Sequence, residues 1–132
     1  MPQGNMHSPA IEAMSRRERD EYESRLLRSL VRHTYEQAPG WKKRLDQAGV
    51  KPAHIQTVKD LDKIPIIRKN DIIQLQREAP PLGGLLATSP EKVERIAVAP
   101  GPIYLPFIAA DTKASAKAYY GLGFRPGDKA IN

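Results

Sequence analysis

Twelve prolines are spread over the 132 residues of this chain, and they limit how far any regular element can run. Proline lacks a backbone N–H and clashes with the preceding helical turn, so it is excluded from helix interiors and central strands. The prolines therefore predict short elements separated by many turns. A long helix fits before Pro39-Gly40, and it is expected to begin at a capping box formed by Ser15 and Glu18.

Apolar residues at helical spacing predict that residues 15–88 form a helical segment. Residues 1–14, whose first residues are polar and without periodicity, are expected to be a disordered tail. After the long helix, the sequence predicts three shorter elements: a helix from Trp41 to about Ala48 with a left-handed cap at Gly49, a turn started by Thr57 and Asp60, and a helix over 71–78 capped by Asn70.

The pattern changes near Ser89, and residues 89–132 predict β structure followed by a helix. Residues 93–99 and 103–109 read as two strands joined by Pro100-Gly101-Pro102, which resembles a hairpin. A helix is expected from Asp111-Thr112 to about Leu122, and a further strand begins at Lys129. The predicted class is α/β, or α+β for the chain taken alone: a helical first half, a β-hairpin, a helix and the start of another strand.

Composition excludes several classes of function. The chain has no cysteine, so it has neither a disulfide framework nor a thiolate metal site. Its three histidines (His7, His33 and His54) lack ligand spacing, and no metal site is expected. The net charge of +6 comes from interleaved acidic and basic residues, which favours a solvated helix surface over nucleic-acid binding. With no secretory signal or membrane segment in the sequence, a cytoplasmic protein is predicted.

Four segments together resemble the N-terminal region of phenylacetate–CoA ligase-like enzymes, which are part of the acyl-adenylate-forming superfamily. They are residues 33–72, residues 91–106, the helix after Asp111-Thr112-Lys113, and LGFRPGDKAIN at 122–132. The order and spacing of these segments agree with the family from about residue 25 onward. The resemblance implies that the chain is an incomplete part of an adenylate-forming N-terminal domain.

The same resemblance places a phosphate loop of the type S-S-G-T-T-G-K-P on residues 99–106. Only Gly101 and Pro106 agree with that pattern, whereas the hydroxyl residues and the lysine are replaced. Such a loop needs backbone N–H groups, hydroxyls and a cation to hold a triphosphate. Gly101, Pro102, Ile103 and Tyr104 are therefore expected to be a vestigial phosphate loop that does not bind ATP. A plain apolar hairpin turn is the preferred interpretation of this stretch.

In the family, the remaining adenylating machinery follows this region, so no catalytic residue is assigned here. The resemblance implies ATP, magnesium and CoA for the intact enzyme, and no cofactor is expected for this chain alone. The first functional hypothesis is a structural fragment or subunit that depends on a larger adenylating chain or on self-association. The alternative is a stand-alone protein–protein interaction module that uses the exposed long helix and an unfinished sheet edge.

Overall fold

The computed structural model describes residues 7–108 and 113–129, and it divides the chain into two compact units. One unit is Asp20–Ala109, and the other is Met1–Arg19 together with Ala110–Asn132. The sequence-based division at residues 14 and 88 stays a prediction. The hairpin belongs to the same unit as most of the helical residues that precede it, and the Gln76 side chain bonds to its backbone.

The N-terminal segment contains a short helix, α1 (Pro9–Glu12), within the stretch expected to be a disordered tail. The Glu12 carboxylate accepts a hydrogen bond from the Ser8 N–H at 2.7 Å. The next helix, α2 (Arg16–Gln37), begins at the predicted capping box. The Ser15 N–H and hydroxyl donate to the Glu18 carboxylate at 2.8 and 2.6 Å. These bonds hold the pKa of Glu18 below its usual value.

The core of the larger unit lies where α2 meets α3 (Pro39–Gln47) and the loop that follows. Proline at the first position of α3 shows that this helix begins two residues before the predicted start at Trp41. Gly49 ends it with φ of +67°, as predicted. Two short 3₁₀ turns follow, Pro52–His54 and Val58–Lys63. The buried apolar side chains of this core are Val31, Leu45, Val50 and Ile55.

The fourth helix, α4 (Lys69–Glu78), begins earlier than the sequence predicted. Arg68 stands at the cap position expected for Asn70. The Asp71 carboxylate accepts a hydrogen bond from the Arg68 N–H at 2.9 Å, which supplies the cap from within the helix. Because any residue other than proline offers a backbone N–H to such a carboxylate, the cap position need not hold a polar side chain.

The predicted hairpin is present as β1 (Val93–Ala99) and β2 (Ile103–Ile108). The strands pair antiparallel, with Ala99 opposite Ile103 and Val98 opposite Tyr104, and an irregularity interrupts the register between Val93 and Arg95. The helical first half, the hairpin and the following helix confirm the predicted fold class.

The last described helix is α5 (Lys113–Gly121), and it belongs to the smaller unit. Gly123 follows with φ of +98°, as expected for a residue that ends a helix. The predicted cap at Asp111-Thr112 and the strand expected beyond Lys129 lie outside the described residues. Within the described ranges, no helix has the length and apolar content that crossing a membrane requires.

Candidate functional site

The hairpin loop is the position at which the sequence places a phosphate site. Pro100, Gly101 and Pro102 connect β1 to β2, and of these three only Gly101 carries a backbone N–H. Gly101 has φ of +126°, a backbone conformation that side chains with a Cβ rarely adopt. The loop therefore turns tightly, and it offers a single backbone donor.

The two residues that follow the loop, Ile103 and Tyr104, pack or bond within the larger unit. Ile103 is 3% exposed, so its side chain is buried in the unit and does not face a ligand. The Tyr104 N–H donates to the Gln76 side-chain oxygen at 2.9 Å, and the Gln76 side-chain nitrogen donates to the Tyr104 carbonyl at 2.8 Å. A nearly buried amide from α4 thus pairs with the backbone of β2 as a neighbouring strand would.

An apolar cavity of about 230 Å³ lies beside this pair. It is lined mainly by apolar residues of α4, of the segment 82–87 and of β2, including Leu105 and Pro106. Leu105 stands where the family pattern has its lysine, so an apolar wall replaces the cation. A triphosphate requires several donors and positive charge, and residues 99–106 supply neither. The residues present do not fit the phosphate groups of ATP.

One cation near the loop was missed by the sequence analysis. A methyl group built on Gly101 would lie 3.5 Å from Lys69 Cε and 3.8 Å from its Nζ. Lys69 is the first residue of α4, thirty-two positions before the loop, and nothing in the loop pattern points to it. Gln76 was missed as well, although a polar residue beside the apolar Ile72 and Ile73 is a signal for a buried hydrogen bond.

Three basic residues that follow the long helix, Lys42, Arg44 and Lys51, form hydrogen bonds that stabilise the fold. Lys42 donates to the Asp46 carboxylate at 2.8 Å, Lys51 bonds to the same carboxylate, and the Tyr35 hydroxyl donates to it at 2.6 Å. The hydrogen bonds from Lys42, Lys51 and Tyr35 hold the pKa of Asp46 well below its usual range. The hydrogen bonds of Lys51 to the Asp46 carboxylate and to the Tyr35 hydroxyl raise the pKa of Lys51. Arg44 donates to the Ile66 carbonyl at 2.9 Å. These interactions tie α2, α3 and the next loop together.

Each of the three histidines bonds to a group of its own unit. His33 bonds to the Ala87 carbonyl at 2.7 Å, and His54 accepts the Lys51 N–H at 3.1 Å. His7 contacts the neighbouring Ser8 hydroxyl at 3.0 Å. Over residues 7–108 and 113–129, no group of three or more His, Asp or Glu side chains is arranged to hold a metal ion.

Two curated relatives share the sequence pattern. The chain is 31% identical over 114 residues to a phenylacetate-coenzyme A ligase of Thermus thermophilus, which covers 86% of this chain and 24% of that protein. It is also 31% identical over 129 residues to a phenylacetate-coenzyme A ligase of Aromatoleum evansii, covering 89% and 28%. No protein-family model matches the chain. The chain thus spans about a quarter of the length of these relatives.

Solved structures of 2-hydroxyisobutyryl-CoA ligase share the fold. One, in the postadenylation state with R3-HIB-AMP, has a TM-score of 0.85 at 26% identity and covers 91% of this chain and 26% of that one. Another, an open conformation with 2-HIB-AMP and CoA, has a TM-score of 0.84 at 26% identity, with 91% and 29% covered. Sequence and fold agree: the chain is similar to a partial region of phenylacetate-coenzyme A ligases and of acyl-CoA ligases of the adenylate-forming superfamily.

Proposed function

We propose that this chain is a structural part of a phenylacetate–CoA ligase-like enzyme that neither adenylates nor ligates by itself. The loop at residues 99–106 carries this proposal. Its prolines lack donors, Ile103 is buried, and both backbone groups of Tyr104 are bonded to Gln76. Each hydrogen bond to a charged group is worth about 1.5–3 kcal/mol, so losing several removes most of the stabilisation of a bound triphosphate.

The proposal assigns ATP, magnesium and CoA to the intact enzyme and not to this chain alone. The chain covers about a quarter of its curated relatives, so the groups that activate a carboxylate are expected in the remaining three quarters. The function of this region is then to complete the folded domain of a larger adenylating chain, in the cytoplasm. Which carboxylic acid is activated depends on that larger part.

Calorimetric titration of the full chain with Mg-ATP tests the loss of nucleotide binding. We expect no saturable heat at submillimolar nucleotide, because Lys69 lies beside the loop but the loop lacks the several donors that a triphosphate needs. The matched variant is Lys69→Ala, which should give the same flat titration. Submillimolar binding by the unaltered chain that disappears in Lys69→Ala would show that the loop still holds phosphate.

The alternative function is a stand-alone protein-interaction module with no ligase role. The exposed apolar side chains of the hairpin favour it as well, because such surfaces mark contact sites. Co-purification from the source cells, followed by mass spectrometry, separates the two functions. An adenylating chain in the recovered complex supports the structural part of a ligase, whereas partners without any adenylating chain support the module.

A further inference from the structure

The two edges of the hairpin differ in their ability to accept another strand. Tyr104 directs both its N–H and its carbonyl to Gln76, away from β1. Val98 and Tyr104 therefore form a pair of residues that do not bond to each other, and Ile96 and Pro106, two positions along, form another. On the β2 edge, Gln76 occupies one of these positions and Pro106 has no N–H at the other.

The edge of β1 is open at the corresponding positions. In such pairs the main-chain groups of both residues point away from the partner strand, so Ile96 and Val98 present their N–H and carbonyl groups outward. Within the described ranges these groups have no hydrogen-bonding partner. The hairpin can therefore grow into a larger sheet at β1 and is closed to growth at the Gln76 side of β2.

One face of the hairpin is also apolar and uncovered. Ile96, Val98, Tyr104 and Ile108 share it by the strand period, and they are 45%, 61%, 41% and 50% exposed. The opposite face contains the buried Ile103, and its Leu105 and Phe107 are 41% and 42% exposed, with the Arg95 guanidinium stacked 4.6 Å from the centre of the Phe107 ring. A two-stranded sheet is marginal by itself and gains stability when more strands cover such a face.

We propose that the β1 edge and its apolar face dock a β-strand with alternating apolar side chains from the three quarters of an adenylate-forming ligase that this chain does not cover. This inference rests on the proposed function. The identity of the occupant follows from the comparisons, because this fold recurs in solved ligases at TM-scores of 0.84–0.85 within chains of which it covers only 26–29%. The strand bonds to Ile96 and Val98, and its apolar side chains cover the exposed face.

Co-expression tests the docking surface. The full chain, carrying an affinity tag, is produced together with the part of the Thermus thermophilus relative that lies outside the matched 114 residues. We expect the unaltered chain to retain this polypeptide. The variant Val98→Glu should retain about tenfold less, because it places an unpaired carboxylate in an apolar interface. Ile66→Glu is the matched control, since Ile66 is 80% exposed and lies outside the hairpin.

Hydrogen exchange of the retained complex gives a second measurement, which uses the unaltered chain and therefore does not depend on whether a variant folds. The amides of Ile96 and Val98 should exchange about tenfold more slowly in the complex than in the free chain, because they become bonded. The Tyr104 amide, already bonded to Gln76, should change little. Val98→Thr keeps the β-branched shape and should weaken retention less than Val98→Glu.

The outcomes separate the surface from the function. Equal retention by the unaltered chain and Val98→Glu, or unchanged exchange at Ile96 and Val98, would refute the proposed docking surface. The proposed structural function would not be affected by either result. Failure of the unaltered chain to retain the polypeptide overturns both. Pairing of two copies of this chain through β1, detected as a dimer that excludes the ligase polypeptide, also overturns the proposed occupant.

Discussion

Replacing Gln76 by leucine tests how the hairpin is held to the helices. The change keeps the size of the side chain and removes both hydrogen bonds to the Tyr104 backbone, at 2.8 and 2.9 Å. Each ordinary hydrogen bond contributes about 0.5–1.5 kcal/mol, and a buried group left unpaired costs about 1–3 kcal/mol. Because the Tyr104 side chain is partly exposed, water reaches some of the freed groups. The range for an ordinary hydrogen bond therefore applies to each of the two bonds that are lost. We expect the free energy of unfolding to fall by about 1–3 kcal/mol.

Urea unfolding followed by circular dichroism measures this loss, and Gln74→Leu is the matched control. Gln74 lies on the same helix, but its side chain is exposed and bonds to the exposed Glu78 carboxylate at 2.9 Å. Its replacement should change the free energy of unfolding by less than about 0.5 kcal/mol. Exchange of the Tyr104 amide should also accelerate in Gln76→Leu alone. If the two leucine variants unfold at the same urea concentration, the hairpin is not held by the Gln76 amide and this reasoning is wrong.

Three further predictions concern two substitutions in the helical part and the response of its stability to acid. Gly40→Ala should destabilise by about 1–3 kcal/mol in thermal melts, because a Cβ there lies 2.5 Å from the Gly83 carbonyl oxygen; Gly121→Ala, with open space around it, should change stability by less than about 0.5 kcal/mol. Ile55→Ala should cost about 2–5 kcal/mol in urea titrations, because Ile55 is fully buried; a cost below 1 kcal/mol would place it outside the core. Because the pKa of Asp46 is lower in the folded chain than in the unfolded chain, its ionised carboxylate stabilises the fold above the ordinary aspartate pKa of about 4. This contribution to the free energy of unfolding is lost as the pH falls toward the pKa of Asp46 in the folded chain. The melting temperature should therefore drop on acidification, and less so in Asp46→Asn; equal drops would contradict the assignment.

The sequence predicted local structure well where short-range chemistry decides it. The Ser15–Glu18 and Thr57–Asp60 capping boxes are present, because each needs only two residues three positions apart. The strand bounds at the hairpin agree within one residue, since Pro100 and Pro102 confine the turn. The start of α4 was misplaced because the cap uses the backbone of Arg68, which no side-chain preference marks.

The candidate site could be predicted only in part. Replacement of the loop residues is visible in the sequence, and the loss of donors follows from the prolines alone. The contribution of Gln76 was not predictable, because its partner Tyr104 lies 28 positions away. The proximity of Lys69 to Gly101 likewise depends on how α4 packs beside the hairpin.

The sequence by itself determined the order of the helices, the hairpin and the likeness to a ligase region. Prolines, glycines and capping residues act within a few positions of the chain, so their effects can be read without coordinates. Only the tertiary structure decided which strand edge is closed. That choice rests on Gln76 reaching across from α4 to the backbone of Tyr104, a contact between segments that the linear order keeps apart. The same contact leaves the β1 edge, at Ile96 and Val98, as the side on which this small sheet can be extended.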